Sequence, residues 1–234
     1  MLKLYAVFII IFFSGCATQG SDTDLKNRES IMISAQNYQG LVDLYTESVK
    51  KNDSAENREK LAHYYFLLDD YEASAYQLEN VIKRKSAQAE TFYNQSINYY
   101  MLDKLIIAET MINRAIEMKP NNAKFRNQKG IVLAQKSEFE SAIREFEKAR
   151  SLIFPDVKIK NNLALIYYKK GEYTKAITTL MPLYLRNNNN KKIVANLIVI
   201  MAKMNDRNYV LNLLRDKYDM DNSEAVYVYN RLSR

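Results

Sequence analysis

The chain holds one cysteine and one histidine, Cys16 and His63, and that scarcity decides most of its chemistry. A zinc site draws on several Cys, His or carboxylate ligands, and a thiolate nucleophile needs a base beside it. A lone residue of each type meets neither need. A single cysteine also excludes a disulfide within the chain, so modification is its natural covalent use. The acidic pair Asp69-Asp70 falls between two segments of helical periodicity, where carboxylates favour the positive end of the following helix. It reads as a cap and not as metal ligands. Glycine-rich phosphate loops and the Gly-x-Ser-x-Gly elbow are absent from the sequence. The expectation is therefore a non-enzyme, with no catalytic residue, no metal, no cofactor and no small-molecule substrate, and with His63 on a helix face or groove.

What remains is the chemistry of recognition. Primary amides recur every 34 residues at Asn94, Gln128, Asn162 and Asn196, with Lys60 one step earlier. Each amide carries both a donor and an acceptor, so a row of them can pair with the backbone of an extended peptide whatever its side chains. Tyr93, Ile97, Tyr100, Ile131, Leu165 and Tyr168 would flank the row with apolar pockets. A second reading stays open at this point: the amides tie neighbouring helices together and bind nothing.

The elements that must carry this row are visible in the same spacing. Gly130 is matched by Ala164, Leu133 by Tyr167, Ala142 by Ala176, Phe146 by Leu180 and Ala149 by Leu183, all 34 residues apart. Small residues stand where two helices cross closely, and bulky ones fill the space between. Ala123 to Arg186 thus resembles two tandem tetratricopeptide repeat (TPR) units. The frame runs backwards through Ala89–Asn122 (Phe92, Ser96, Tyr99, Ala108, Ile112, Ala115, Pro120) and Ala55–Gln88 (Leu61, Ala62, Tyr65, Tyr71, Ser74, Leu78). Tyr65, Tyr99 and Tyr167 share one position expected to be buried. Asn37–Lys51 looks like the second helix of an opening unit, whose first helix, around Arg28 to Ala35, is weak. Forwards, Lys191–Tyr218 keeps the frame in its first helix only, and Asn222–Leu232 adds an amphipathic helix capped by Asp221 or Asn222. Five Gly and three Pro in 234 residues leave few breaks for turns. The expected fold is all-α: a right-handed TPR-type solenoid of about five or six helix pairs plus a C-terminal capping helix, forming one domain over residues 31–234.

The start of the chain differs in composition. Lys3 precedes an apolar run from Leu4 to Phe13, too short to span a bilayer comfortably and laid out like a secretory signal. Phe13-Ser14-Gly15-Cys16 resembles a bacterial lipobox, with residues 1–15 as the signal peptide and Cys16 as the site of lipid (palmitate) attachment. Ala17 after the cysteine resembles the outer-membrane sorting pattern. Residues 16–30 are polar and read as a lipidated N-terminus and flexible tether. The 34 Lys and Arg against 27 Asp and Glu give a net charge of +7, scattered with no basic tract. Nucleic acid is an unexpected partner on that ground.

The C-terminal half carries a longer pattern. Asn161-Asn162-Leu163-Ala164-Leu165, Gly171-Glu172-Tyr173, Ala176-Ile177, Leu180-Met181-Pro182-Leu183, Val194-Ala195-Asn196-Leu197, Ser223-Glu224-Ala225 and Tyr229-Asn230-Arg231-Leu232 together resemble the TadD family. These are TPR lipoproteins of Flp (tight adherence, Tad) pilus assembly. Pro182, inside a predicted helix, follows that pattern, while Ile198, Val199 and Asn205–Tyr218 depart from it. The resemblance implies a lipid-anchored assembly factor at the outer membrane, with its solenoid in the periplasm, helping the pilus secretin or its partners to localise or assemble. A pilotin of another type IV pilus or secretion system, or a periplasmic adaptor for cell-wall enzymes, would share the lipobox and the repeats.

Overall fold

A computed structural model describes residues 19–85 and 87–234. The signal-like run, the lipobox-like residues and Cys16 lie outside the described residues. Among the described residues there are thirteen helices and no strand. They are α1 (Gln19–Ser34), α2 (Tyr38–Lys51), α3 (Ala55–Leu67), α4 (Tyr71–Lys83), α5 (Ala89–Met101), α6 (Leu105–Met118) and α7 (Ala123–Gln135). Then follow α8 (Phe139–Ser151), α9 (Asp156–Lys169), α10 (Tyr173–Arg186), α11 (Lys191–Lys203), α12 (Arg207–Tyr218) and α13 (Asn222–Leu232). Helix α1 packs on α2, α5 on α6, α7 on α8, α9 on α10 and α11 on α12, and α13 is the added C-terminal helix, packed on α12. No described helix is long and apolar enough to cross a membrane.

One turn, repeated, sets this architecture. Asp69, Asp103, Ser137, Gly171 and Asn205 all adopt left-handed backbone, with φ of 58, 55, 63, 75 and 61°. They stand 34 residues apart, each just after the first helix of a pair. The N–H that follows each one bonds back to Tyr65, Tyr99, Leu133, Tyr167 and Met201 respectively, at 2.8–3.0 Å. That is the Schellman closure, which satisfies carbonyls left over at a helix end and reverses the chain within three residues. Only Gly171 meets the conformation without a side-chain penalty. The other four rely on Asp, Asn and Ser, of which Asp and Asn tolerate it best. Asp70 then accepts from the Ala73 N–H at 2.9 Å, the cap expected of it.

Within the pairs, the small residues of the repeat are where the helices touch. Ala108, Ala115, Ala142, Ala149, Ala164 and Ala176 are fully buried. Of the repeated tyrosines, Tyr99 is buried, while Tyr65 and Tyr167 are half-buried. Pro155 stands at the N-cap of α9 and so opens that helix as well as following α8. Pro182 lies inside α10 on an exposed face, where the Thr178 carbonyl that loses its helical donor has access to water. Asp221 and Glu224 form a reciprocal capping box at the start of α13.

By contacts the described residues group into two compact units, one running to Gln77 and the other over Leu78–Arg234. The buried cluster of the first is Leu41, Val42, Leu44, Tyr45, Leu61 and Tyr64. Where the sequence suggests a tether through residue 30, residues from Gln19 onward are helical. Leu25 and Met32 of α1 pack on that cluster. Glu29 accepts from the Tyr64 hydroxyl at 2.7 Å and from Lys60 Nζ at 3.1 Å, and Lys60 also donates to the Tyr45 hydroxyl at 2.8 Å. Composition alone reads as a polar tail, because each of these contacts is long-range and leaves no local signature.

This network makes a pH-dependent clasp. Burial pushes the Glu29 carboxyl up, but donors from Tyr64, Tyr45 and Lys60 outweigh it and hold the pKa below the ordinary 4.5. A carboxylate depressed in the folded state contributes stability that is full above its unfolded pKa and is lost as pH falls through the folded one. The wild type should therefore melt at a higher temperature than Glu29→Gln near neutral pH, and the gap should close at pH values well below 4.5. A gap that stays constant across that range would contradict the clasp.

Candidate peptide-binding groove

In residues 78–234 the first helices of successive pairs touch one another, α5 with α7, α7 with α9 and α9 with α11. Along this row lies a pocket of 580 Å³. Its walls are Tyr93 from α5; Lys124, Asn127, Gln128 and Ile131 from α7; Val157, Lys158, Asn161 and Asn162 from α9; and Lys192 and Ile193 from α11. Phe154 and Asn190, from the loops before α9 and α11, complete it. Among the described residues, no acidic side chain lines it.

The amides divide into two kinds. Asn162 Nδ2 donates to Asn127 Oδ1 at 3.0 Å, and Asn196 Nδ2 donates to Asn161 Oδ1 at 2.6 Å. Each bond runs from one repeat to the position 35 residues earlier, so these two amides do tie neighbouring first helices together. One step back the same register sets Gln128 against Tyr93, an aromatic ring in place of the amide acceptor. Gln128 is 6% exposed, and its Nε2 has no hydrogen-bond partner among the described residues. A buried donor left unpaired costs about 1–3 kcal/mol, so this position breaks the local rule that buried polar groups are satisfied.

The remaining expected groove residues fare differently. Tyr93 and Ile131 line the pocket. Tyr93 stacks on Phe125, with ring centroids 5.2 Å apart, and Lys124 Nζ sits 4.3 Å from its ring centroid. Burial pushes the Tyr93 hydroxyl up to about 12, so it keeps its proton through the physiological range. Asn94 and Leu165 are exposed outside the pocket walls. Ile97 packs beside Tyr93 and Phe125, Tyr100 beside Tyr99 and Ala108, and Tyr168 beside Tyr173 at 5.8 Å between rings. These three are half-buried supports and do not line the pocket. Lys60, expected to extend the row, is held by Glu29 and Tyr45 in the first unit. His63 is exposed on a helix face beside Tyr64. No group of three or more His, Cys, Asp or Glu is placed to hold a metal among the described residues.

Sequence reasoning missed Lys124, Lys158 and Lys192, and also Asn127 and Asn161. The signal was present: the lysines stand 34 residues apart, and the two asparagines likewise. These series run in parallel with the amide row, the asparagines one and the lysines four residues before it in each repeat.

Comparison with known proteins bears on the fold. A tetratricopeptide repeat family model matches residues 157–190. No curated protein sequence matches the chain. Among solved structures, a tetratricopeptide repeat protein from Parabacteroides merdae superposes with a TM-score of 0.77 at 16% identity, over 93% of this chain and 86% of that one. The APC/C hetero-tetramer Cut9-Hcn1 gives 0.69 at 14% identity over 87% of this chain, which spans only 41% of that one. YrrB, described as a TPR protein with an unusual peptide-binding site, gives 0.57 at 17% identity over 71% of this chain and 86% of that one. Identities this low speak for fold alone. The chain is an all-α TPR solenoid, with one of its repeats, residues 157–190, recognisable from sequence as a tetratricopeptide repeat.

Proposed function

We propose that this protein is a non-enzymatic scaffold that holds an extended segment of a partner protein along the first helices α7, α9 and α11. The observation that carries the reading is Gln128, which lines the pocket and whose side-chain amide nitrogen is buried without a partner among the described residues, so that a rotation of the side chain would present it to the groove. A peptide carbonyl would supply the missing acceptor. The fold accommodates such a role, since YrrB is described as having a peptide-binding site. The place of action rests on sequence. Phe13-Ser14-Gly15-Cys16 supports a lipid anchor on Cys16 in the outer membrane, with the repeats in the periplasm. The pattern from Asn161 to Leu232 supports a role in Flp pilus assembly, with the secretin or one of its assembly partners as the bound protein.

Two substitutions separate binding from scaffolding. Gln128→Ala removes an unpaired donor, so the melting temperature should hold or rise while recovery of the secretin complex with the full-length protein falls. Asn162→Ala strips the Asn127 oxygen of its donor and should cost about 1–3 kcal/mol of stability. If Gln128→Ala lowers the melting temperature as Asn162→Ala does and leaves the complex intact, the groove reading is wrong.

A further inference from the structure

The charges around the pocket say what kind of segment it takes. Lys124, Lys158 and Lys192 come from three successive first helices, and all three line it. Each stands four residues before an amide of the ladder, Gln128, Asn162 and Asn196, and so on the same helix face. Lys124 Nζ lies over the Tyr93 ring and Lys158 Nζ lies 5.8 Å from the Phe154 ring centroid. None of the three lysines is in direct contact with a carboxylate among the described residues, and Glu90, which attracts Lys124 at longer range, is itself held by Lys119 at 2.7 Å. Their placement is also unfavourable for the helices themselves. All three lie in the first turns of α7, α9 and α11, where the helix dipole disfavours a cation, and α7 and α11 have no acidic residue in their first turn to offset it. Three lysines and three helix N-termini therefore direct positive potential at one strip, next to a buried amide with no partner. The corresponding position of α5 is Glu90, which ends the basic series on that side.

Resting on the groove reading above, we infer that the bound segment is an extended acidic peptide whose Asp or Glu side chains meet Lys124, Lys158 and Lys192 while its backbone pairs with Gln128. Spacing makes the inference specific. Packed helices lie about 8–10 Å apart, and an extended segment in the polyproline II conformation advances about 3.1 Å per residue and returns every third side chain to the same face. One carboxylate about every three residues then matches one lysine per repeat. A peptide fits better than a single-stranded nucleic acid: the amides suit a peptide backbone, and Tyr93 is already stacked on Phe125 and covered by Lys124, so it offers no open face to a base.

The test is selection of twelve-residue peptides from a random display library on the immobilised full-length protein, read by sequencing and then by fluorescence anisotropy. Enrichment of Asp and Glu about three apart is expected. The selected peptides should bind Lys124→Glu/Lys158→Glu/Lys192→Glu about tenfold more weakly or worse, with weakening as salt rises and no change in circular dichroism. Neutral or basic peptides that bind tightly and lose affinity in Gln128→Ala would overturn the acidic inference and leave the groove reading standing. No enrichment over an unrelated helical protein, or peptides indifferent to Gln128→Ala, would overturn the groove reading itself. Displacement of the selected peptides by a twelve-residue oligothymidylate at equal concentration would assign the strip to nucleic acid and overturn the inference.

Discussion

Replacing Gly130 by leucine should destabilise the protein by about 3 kcal/mol, the upper end of the usual range for overpacked cores. A Cβ at that position would lie 2.5 Å from Phe146 Cε1 and 2.6 Å from Cδ1. Phe146 is 1% exposed, in a cluster with Leu133, Ala142, Ala149, Ile159 and Leu163, so its ring has nowhere to retreat. Removing a helical glycine otherwise favours the folded state by roughly 0.5–1 kcal/mol, and the clash must exceed that. Phe146→Ala alone should cost about 3–5 kcal/mol by leaving a cavity. The double variant decides the mechanism, because a leucine at 130 can enter the space the ring leaves. Its loss of stability should be smaller than the sum of the single losses by more than about 1 kcal/mol. Additive losses would mean that the two positions do not meet.

A second large effect concerns the anchor. If Cys16 carries the lipid proposed above, Cys16→Ala should move the protein from the outer-membrane fraction to a soluble or uncleaved form. Each buried methylene of an acyl chain contributes about 0.8 kcal/mol, so an acylated cysteine dominates membrane affinity. The described part of the chain has no membrane-spanning helix to substitute for it. Fractionation of the variant that matches the wild type would remove the lipoprotein reading, and with it the periplasmic address.

The sequence made the repeat legible because packing and turn geometry impose residue types at fixed positions. Alanine recurs where helices touch, and Asp, Ser, Gly or Asn recurs at the left-handed turn. The first helices α3, α5 and α7 begin on the expected frame at Ala55, Ala89 and Ala123, and α13 covers the expected Asn222–Leu232. What escaped was tertiary. The packing of α1 depends on Glu29 meeting Tyr64 and Lys60, more than thirty residues away, which no local pattern announces. The amide row was visible, but its division was not. Whether an amide is tied or open depends on the residue 35 positions earlier: Asn127 and Asn161 supply an acceptor, and Tyr93 does not. Ile97, Tyr100 and Tyr168 have the right types and spacing for a groove, yet their rings and branches are taken up by the core.

The central claim is that a partner segment lies along α7, α9 and α11 and accepts a hydrogen bond from Gln128. The most direct measurement follows the backbone and side-chain amide resonances of the full-length protein, labelled with nitrogen-15, as a selected acidic twelve-residue peptide is added. The account predicts a downfield shift of the Gln128 NH2 protons, together with shifts at Lys124, Lys158 and Lys192 and little change along α8 and α10. Saturating peptide that leaves the Gln128 amide unmoved and shifts α8 or α10 instead would contradict it.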